Sequence, residues 1–146
     1  MTQAATPPAN PKTGKPARTH ARTRAGTRAS VTTHVLDTAR GVPAEGLVIE
    51  VFRLGTDGTR QPLTHLVTNA DGRTDAPVVP PEQMAAGSYE LVFHAGAYLA
   101  AAGLIGEDGV PFLDAVPIRF GISDPARHHH VPLLLSPFGY STYRGS

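Results

Sequence analysis

The sequence has no cysteine. That removes disulfides, thiolate metal centres and a cysteine nucleophile, and it agrees with a reducing compartment, so a cytoplasmic protein is expected. No apolar run is long enough to span a membrane or to form the core of a secretory leader, so no membrane partner is expected. Net charge is only +1 over 146 residues, which leaves no electrostatic case for nucleic acid. Three catalytic signatures are also missing: a phosphate loop, His-Glu-x-x-His and Gly-x-Ser-x-Gly. Their absence argues against a P-loop enzyme, a zincin and an α/β-hydrolase.

Acid is missing locally as well. Residues 1–30 hold Lys12, Lys15, Arg18, Arg22, Arg24 and Arg28 without one Asp or Glu. Large apolar side chains are almost absent there, and Pro7, Pro8, Pro11 and Pro16 interrupt the segment. Such a stretch buries too little surface to offset its ordering entropy, so a disordered basic tail is expected over residues 1–29. Its Arg, Ala and Thr content is that of some transit peptides. Poor amphipathicity and the prolines favour a plain solvated tail. The length beyond it, 30–146, suits one domain with a real core.

From about residue 30 short β-like runs alternate with turn signals. Residues 31–37 are rich in β-branched side chains, and Gly41-Val42-Pro43-Ala44 breaks them. Residues 47–54 and 63–68 flank the hairpin signal Asp57-Gly58, and Asn69-Ala70-Asp71-Gly72 closes the second run. Val78-Val79, among prolines, suits only a short edge strand. Residues 89–94 and 115–122 are further strands. Between them the Ala-rich segment 96–103, bounded by glycines, predicts two turns of helix. Residues 130–136 and 138–143 complete about eight strands. The spacing predicts an all-β, two-sheet antiparallel sandwich with one short helix.

Few residues in this frame carry chemistry. His34 lies mid-strand, where a lone histidine is most often a satisfied or surface residue. Arg73 follows a turn, where arginine is usually solvated. In His128-His129-His130, strand alternation turns His128 and His130 to one face and His129 to the other. Two such histidines suit acid–base work or a zinc site, but zinc would need a third or fourth ligand from elsewhere.

The combination says more than its members. Thr32-Thr33-His34-Val35-Leu36-Asp37 with Gly41-Val42-Pro43-Ala44, then Thr68-Asn69-Ala70-Asp71-Gly72-Arg73, occur in order. His130-Val131-Pro132-Leu133-Leu134-Leu135-Ser136-Pro137 and the closing Tyr143-Arg144-Gly145-Ser146 follow. Together they resemble the three signatures of the transthyretin-related 5-hydroxyisourate hydrolases, over about residues 30–146. The closing tetrapeptide is the most specific part, since plain transthyretins lack it. His129 departs from the pattern, which commonly has an aromatic residue there.

The resemblance implies a transthyretin-like sandwich assembled as a homotetramer, a dimer of dimers with sites in the channel between dimers. It implies hydrolytic opening of the small molecule 5-hydroxyisourate in urate degradation, with no cofactor and no metal. By motif it implies His34, Arg73, His130 and Ser146 as catalytic residues, with Arg73, Tyr143, Arg144 and Gly145 contacting substrate. Imidazoles exchange protons near neutrality, and Arg73 offers a permanent planar cation to an anionic, oxygen-rich ring. Which histidine is the base stays open, as does whether Ser146 positions water or attacks. The alternative is a non-catalytic transthyretin-like protein binding a small ligand. Uncharged residues at positions 34, 73 and 130 would favour it, and here they are His, Arg and His.

Overall fold

A computed structural model describes residues 28–146. The tail expected over 1–29 therefore falls, for residues 1–27, outside the described residues. In chain order the strands are β1 (Val31–Thr32), β2 (Val35–Asp37), β3 (Val42–Pro43), β4 (Val48–Leu54), β5 (Arg60–Val67) and β6 (Gly87–His94). Helix α1 (Ala95–Ala101) follows, then β7 (Ala115–Ile122), β8 (His129–His130), β9 (Leu133–Ser136) and β10 (Gly139–Thr142).

One sheet has the order β5-β4-β6-β7 and is antiparallel throughout. The other has the order β10-β9-β2-β3, extended by the parallel pair β1-β8. Alternation explains how they stack. Ile49, Val51, Tyr89, Leu91 and Phe93 share the inner face of the first sheet and are fully buried. Val31, Val35, Leu133 and Leu135 answer them from the second. Each such side chain removed from water contributes about 1.5–3 kcal/mol, which is what holds the layers together.

The all-β sandwich with one short helix is as the sequence predicts. The pairing is richer: β2 runs parallel to β9, and β1 to β8. These segments are joined by no hairpin, so no turn forces them antiparallel. The run 31–37 also divides. The Thr33 hydroxyl donates to the buried Val131 carbonyl at 2.7 Å, and Pro132 has no N–H to offer. The seam between these two segments is therefore irregular at His34 and just after His130. Gly41-Val42-Pro43-Ala44, expected only as a break, returns as β3 beside β2.

A polar clasp fixes the end of β2. Asp37, almost wholly buried, accepts Tyr98 OH at 2.6 Å and Arg40 Nε at 2.8 Å. Burial alone would raise its carboxyl pKa, but the Tyr98 and Arg40 hydrogen bonds win and hold it below the usual range. On the outward face of the first sheet Glu90 is buried between Arg60 and Arg119. No helix among the described residues is long and apolar enough to cross a membrane.

Candidate active site

The site is built where the second sheet's irregular seam meets a tight turn. Thr68 anchors the turn by donating to the Ala44 carbonyl (2.6 Å) and accepting the Leu47 N–H (2.9 Å). Asn69 organises the next four residues: its Oδ1 accepts the N–H groups of Asp71 (2.9 Å) and Arg73 (3.2 Å). Gly72 then docks on β2, its carbonyl accepting the Val35 N–H at 2.8 Å. Its φ is +73°, and a Cβ there would lie 2.3 Å from the Val35 carbonyl oxygen. Only glycine fits on both counts. This docking brings Arg73, one residue on, beside His34, one residue before Val35.

His34 is half-buried between β1 and β2, and its carbonyl accepts the Leu133 N–H at 2.9 Å. Across the seam His130 is also half-buried. Its Nδ1 lies 2.9 Å from Thr32 Oγ1, which leaves Nε2 as its free ring nitrogen. The same Thr32 oxygen lies 3.1 Å from His128 Nε2, and Ser30 Oγ lies 3.2 Å from His128 Nδ1. His129 turns elsewhere and meets the Arg127 carbonyl at 2.9 Å.

The chain's last residues close over this seam. The Gly145 N–H donates to the His130 carbonyl at 2.8 Å, forming an antiparallel bridge. A Cβ on Gly145 would lie 2.5 Å from His130 Cδ2 and 3.1 Å from Cγ. Glycine is needed here for closeness to the imidazole. Ser146 follows directly and is exposed, as are Tyr143 and Arg144.

Charge completes the picture. Burial lowers the pKa of His130 below 6.5, and the neighbouring charges of Arg73, His128 and His34 lower it further. A hydrogen bond from the ring to the Thr32 backbone opposes them more weakly. The lowered pKa favours the neutral imidazole, the form a base needs. Arg73, His128 and His34 are each near enough to His130 for their charge to bear on it.

Of the residues expected from sequence, His34, Arg73, His130 and Gly145 converge, and Ser146 is adjoined through Gly145. The side chains of Tyr143 and Arg144 make no hydrogen bond within the described residues. Thr32 and Ser30 were not expected as site members, and His128 was weighed beside His130 without being assigned to the site. Alternation places His128 with His130, but the parallel register that brings Thr32 to both is not visible in the sequence. Among the described residues no group of three or more His, Asp or Glu is placed to hold a metal ion.

Two clefts lie elsewhere. One, mainly apolar, runs between Leu104, Phe112 and Phe138. Another lies beside Arg40, His94 and Tyr98. Neither includes His34, Arg73 or His130.

Comparison with known proteins supplies the family. The family model described as "HIUase/Transthyretin family" matches residues 31–145. A 5-hydroxyisourate hydrolase of Rhizobium meliloti is 56% identical over 116 residues, which is 80% of this chain and 95% of that protein. The solved 5-hydroxyisourate hydrolase of Klebsiella pneumoniae superposes with a TM-score of 0.64 at 37% identity, over 81% of this chain and 94% of that one. Sea bream transthyretin, solved with thyroxine, gives a TM-score of 0.72 at 28% identity, over 80% and 95% of the two chains.

Proposed function

Because this chain belongs to the HIUase/transthyretin family, we propose that it hydrolyses 5-hydroxyisourate to 2-oxo-4-hydroxy-4-carboxy-5-ureidoimidazoline. The observation that carries the reading is the half-buried His130, its pKa lowered by burial and by the charges of Arg73 and His34, with Gly145 against its ring. A transthyretin-like binder of a small ligand has no use for a base held neutral next to a fixed cation.

The chemistry follows from the groups present. Water attacks the ring carbonyl while the free Nε2 of His130 takes its proton. Charge develops on the carbonyl oxygen, and Arg73 stabilises it with paired donors. The ring C–N bond then breaks, and the departing nitrogen takes a proton back. His34 faces the same space and orients the substrate or supplies that proton. Ser146 offers a hydroxyl to the water or substrate, with Tyr143 and Arg144 on the flanking wall. No step calls for a cofactor or metal.

Enclosure comes from assembly. In one chain the site is an open face, and Tyr143 (60% exposed) lies uncovered two residues before Gly145, while Phe138 (77%) is uncovered at the far turn of the β9–β10 hairpin. Strands β7 and β10 each end a sheet with one edge unpaired among the described residues. A homotetramer built as a dimer of dimers would cover these groups and shut bulk water from the reaction. The reaction belongs to urate degradation, and the cytoplasm is its expected place.

Absorbance of freshly generated 5-hydroxyisourate, followed with and without the protein and in the presence of a chelator, tests the reading. Decay well above the spontaneous rate is expected. Decay at the spontaneous rate would reject hydrolysis, and activity lost to the chelator and restored by zinc would reject a metal-free site.

A further inference from the structure

The hydroxyl of Thr32 lies between two imidazoles, 2.9 Å from His130 Nδ1 and 3.1 Å from His128 Nε2. A hydroxyl has one proton to give and two lone pairs. If both contacts are hydrogen bonds, Thr32 donates to one ring and accepts from the other. Two arrangements satisfy this. In the first, His130 Nδ1–H donates to Thr32, Thr32 donates to His128 Nε2, and His128 Nδ1–H donates to Ser30 Oγ. His130 Nε2 is then bare and can accept a proton. In the second every donor is reversed, and His130 Nε2 carries a proton it can give.

Resting on the hydrolytic reading above, we propose that Thr32 is a positioning and proton-relay residue that lets His130 exchange its Nε2 proton with His128. The first arrangement is the starting state. The attacking water gives a proton to His130 Nε2. The Nδ1 proton of His130 passes to Thr32 Oγ1, and the Thr32 hydroxyl proton passes to His128 Nε2. His130 ends neutral with its proton on Nε2, and His128 ends as the cation. Reversal returns a proton through His130 Nε2 to the departing nitrogen once the C–N bond breaks. Only protons move along the relay.

The surroundings favour moving the charge outward. His130 is half-buried and faces the Arg73 cation from the turn and His34 from the adjoining seam, which disfavour a lasting imidazolium. His128 is exposed and water can solvate its charge. Thr32 is itself held in place, its carbonyl accepting the Val131 N–H at 2.9 Å. Gly145 packs against the Cδ2 edge of the same ring. The imidazole is thus fixed at one nitrogen by Thr32 and along one edge by the backbone.

The test uses the whole protein, with histidines labelled for nitrogen NMR, and steady-state kinetics across pH. In the unaltered protein at high pH, one of the two ring nitrogens facing Thr32 should carry hydrogen and the other should be bare. Finding both protonated or both bare overturns the relay without any variant. Thr32→Val keeps the β-branched shape and removes the hydroxyl. It should lower kcat by ~10–100-fold, at or below the usual range for proton-transfer groups, with KM changed less than about 3-fold. It should also uncouple the His128 titration from that of His130. Thr32→Ser should restore coupling and most of kcat. His128→Ala should lower kcat similarly, and adding Thr32→Val to it should cost little more. Multiplying losses, or unchanged titrations in Thr32→Val, would overturn the proposal. Coupled titrations in a protein that fails to hydrolyse 5-hydroxyisourate would count against the hydrolytic reading alone.

Discussion

Gly145→Ala isolates the contribution of the chain end to the site. The added Cβ would lie 2.5 Å from His130 Cδ2, whereas carbon atoms settle at about 3.5 Å or more. The overlap of about 1 Å must be relieved by turning the imidazole or lifting residue 145 off it. A displacement of that size in a reacting group costs on the order of 100-fold in rate, or about 2.7 kcal/mol of barrier. The stability loss should be smaller. Residue 145 lies beyond β10, and the one bond at risk, from its N–H to the His130 carbonyl, is worth about 1 kcal/mol. The assay is the absorbance decay of 5-hydroxyisourate, paired with thermal unfolding of the same sample. The variant should be nearly as stable as the parent and strongly impaired. In a His130→Ala background most of the clash is gone, so the same substitution should cost almost no stability. Full activity in Gly145→Ala with the 130–145 bridge intact would refute the reasoning.

His34→Ala and Arg73→Ala should each lower turnover by ~100-fold or more with the fold intact, whereas His129→Ala should be mild; a dominant His129 would show the strand facing reversed. Gly72→Ala should destabilise by about 1–3 kcal/mol from its backbone conformation alone, with further loss from the clash at Val35, measurable by denaturant unfolding. Activity against pH should fall on the acid side below the ordinary imidazole value of 6.5, because only neutral His130 accepts the water's proton and its pKa is lowered. The same shift means the unfolded chain binds a proton there first, so stability contributed by this group falls as pH drops below 6.5; an acid limb above 6.5 would contradict the assignment. Asp37→Asn should cost about 2 kcal/mol, discounted for the part-exposed Arg40, and calorimetry should find that difference shrinking as pH falls through the native carboxyl pKa below 3.8.

The strands that alternate within a single run were legible. Residues 47–54 and 89–94 carry their apolar side chains two apart, and β4 and β6 form there. The site motifs were legible as short strings, and the fold gathers His34, Arg73 and His130 from three of them. What stayed hidden depends on distant partners. The run 31–37 looks continuous until the Thr33 hydroxyl takes the Val131 carbonyl. Glu90 reads as a solvent-facing strand residue, yet Arg60 and Arg119 from neighbouring strands enclose it. Thr32 reads as an ordinary β-branched strand residue, and only the parallel register with β8 reveals its two histidine neighbours. Alternation within one strand gives its facing but says nothing of which other strand lies beside it.

The parallel seam also dictates when the site forms. Thr32 and its two histidine partners are 96 and 98 residues apart along the chain. Bringing them together costs loop-closure entropy before any contact repays it, whereas the β4–β5 hairpin closes locally. During refolding, the first sheet would therefore register by circular dichroism ahead of the seam. Hydrolysis would return last, making recovered turnover a clock for the joining of β1 to β8 and not for the chain's collapse.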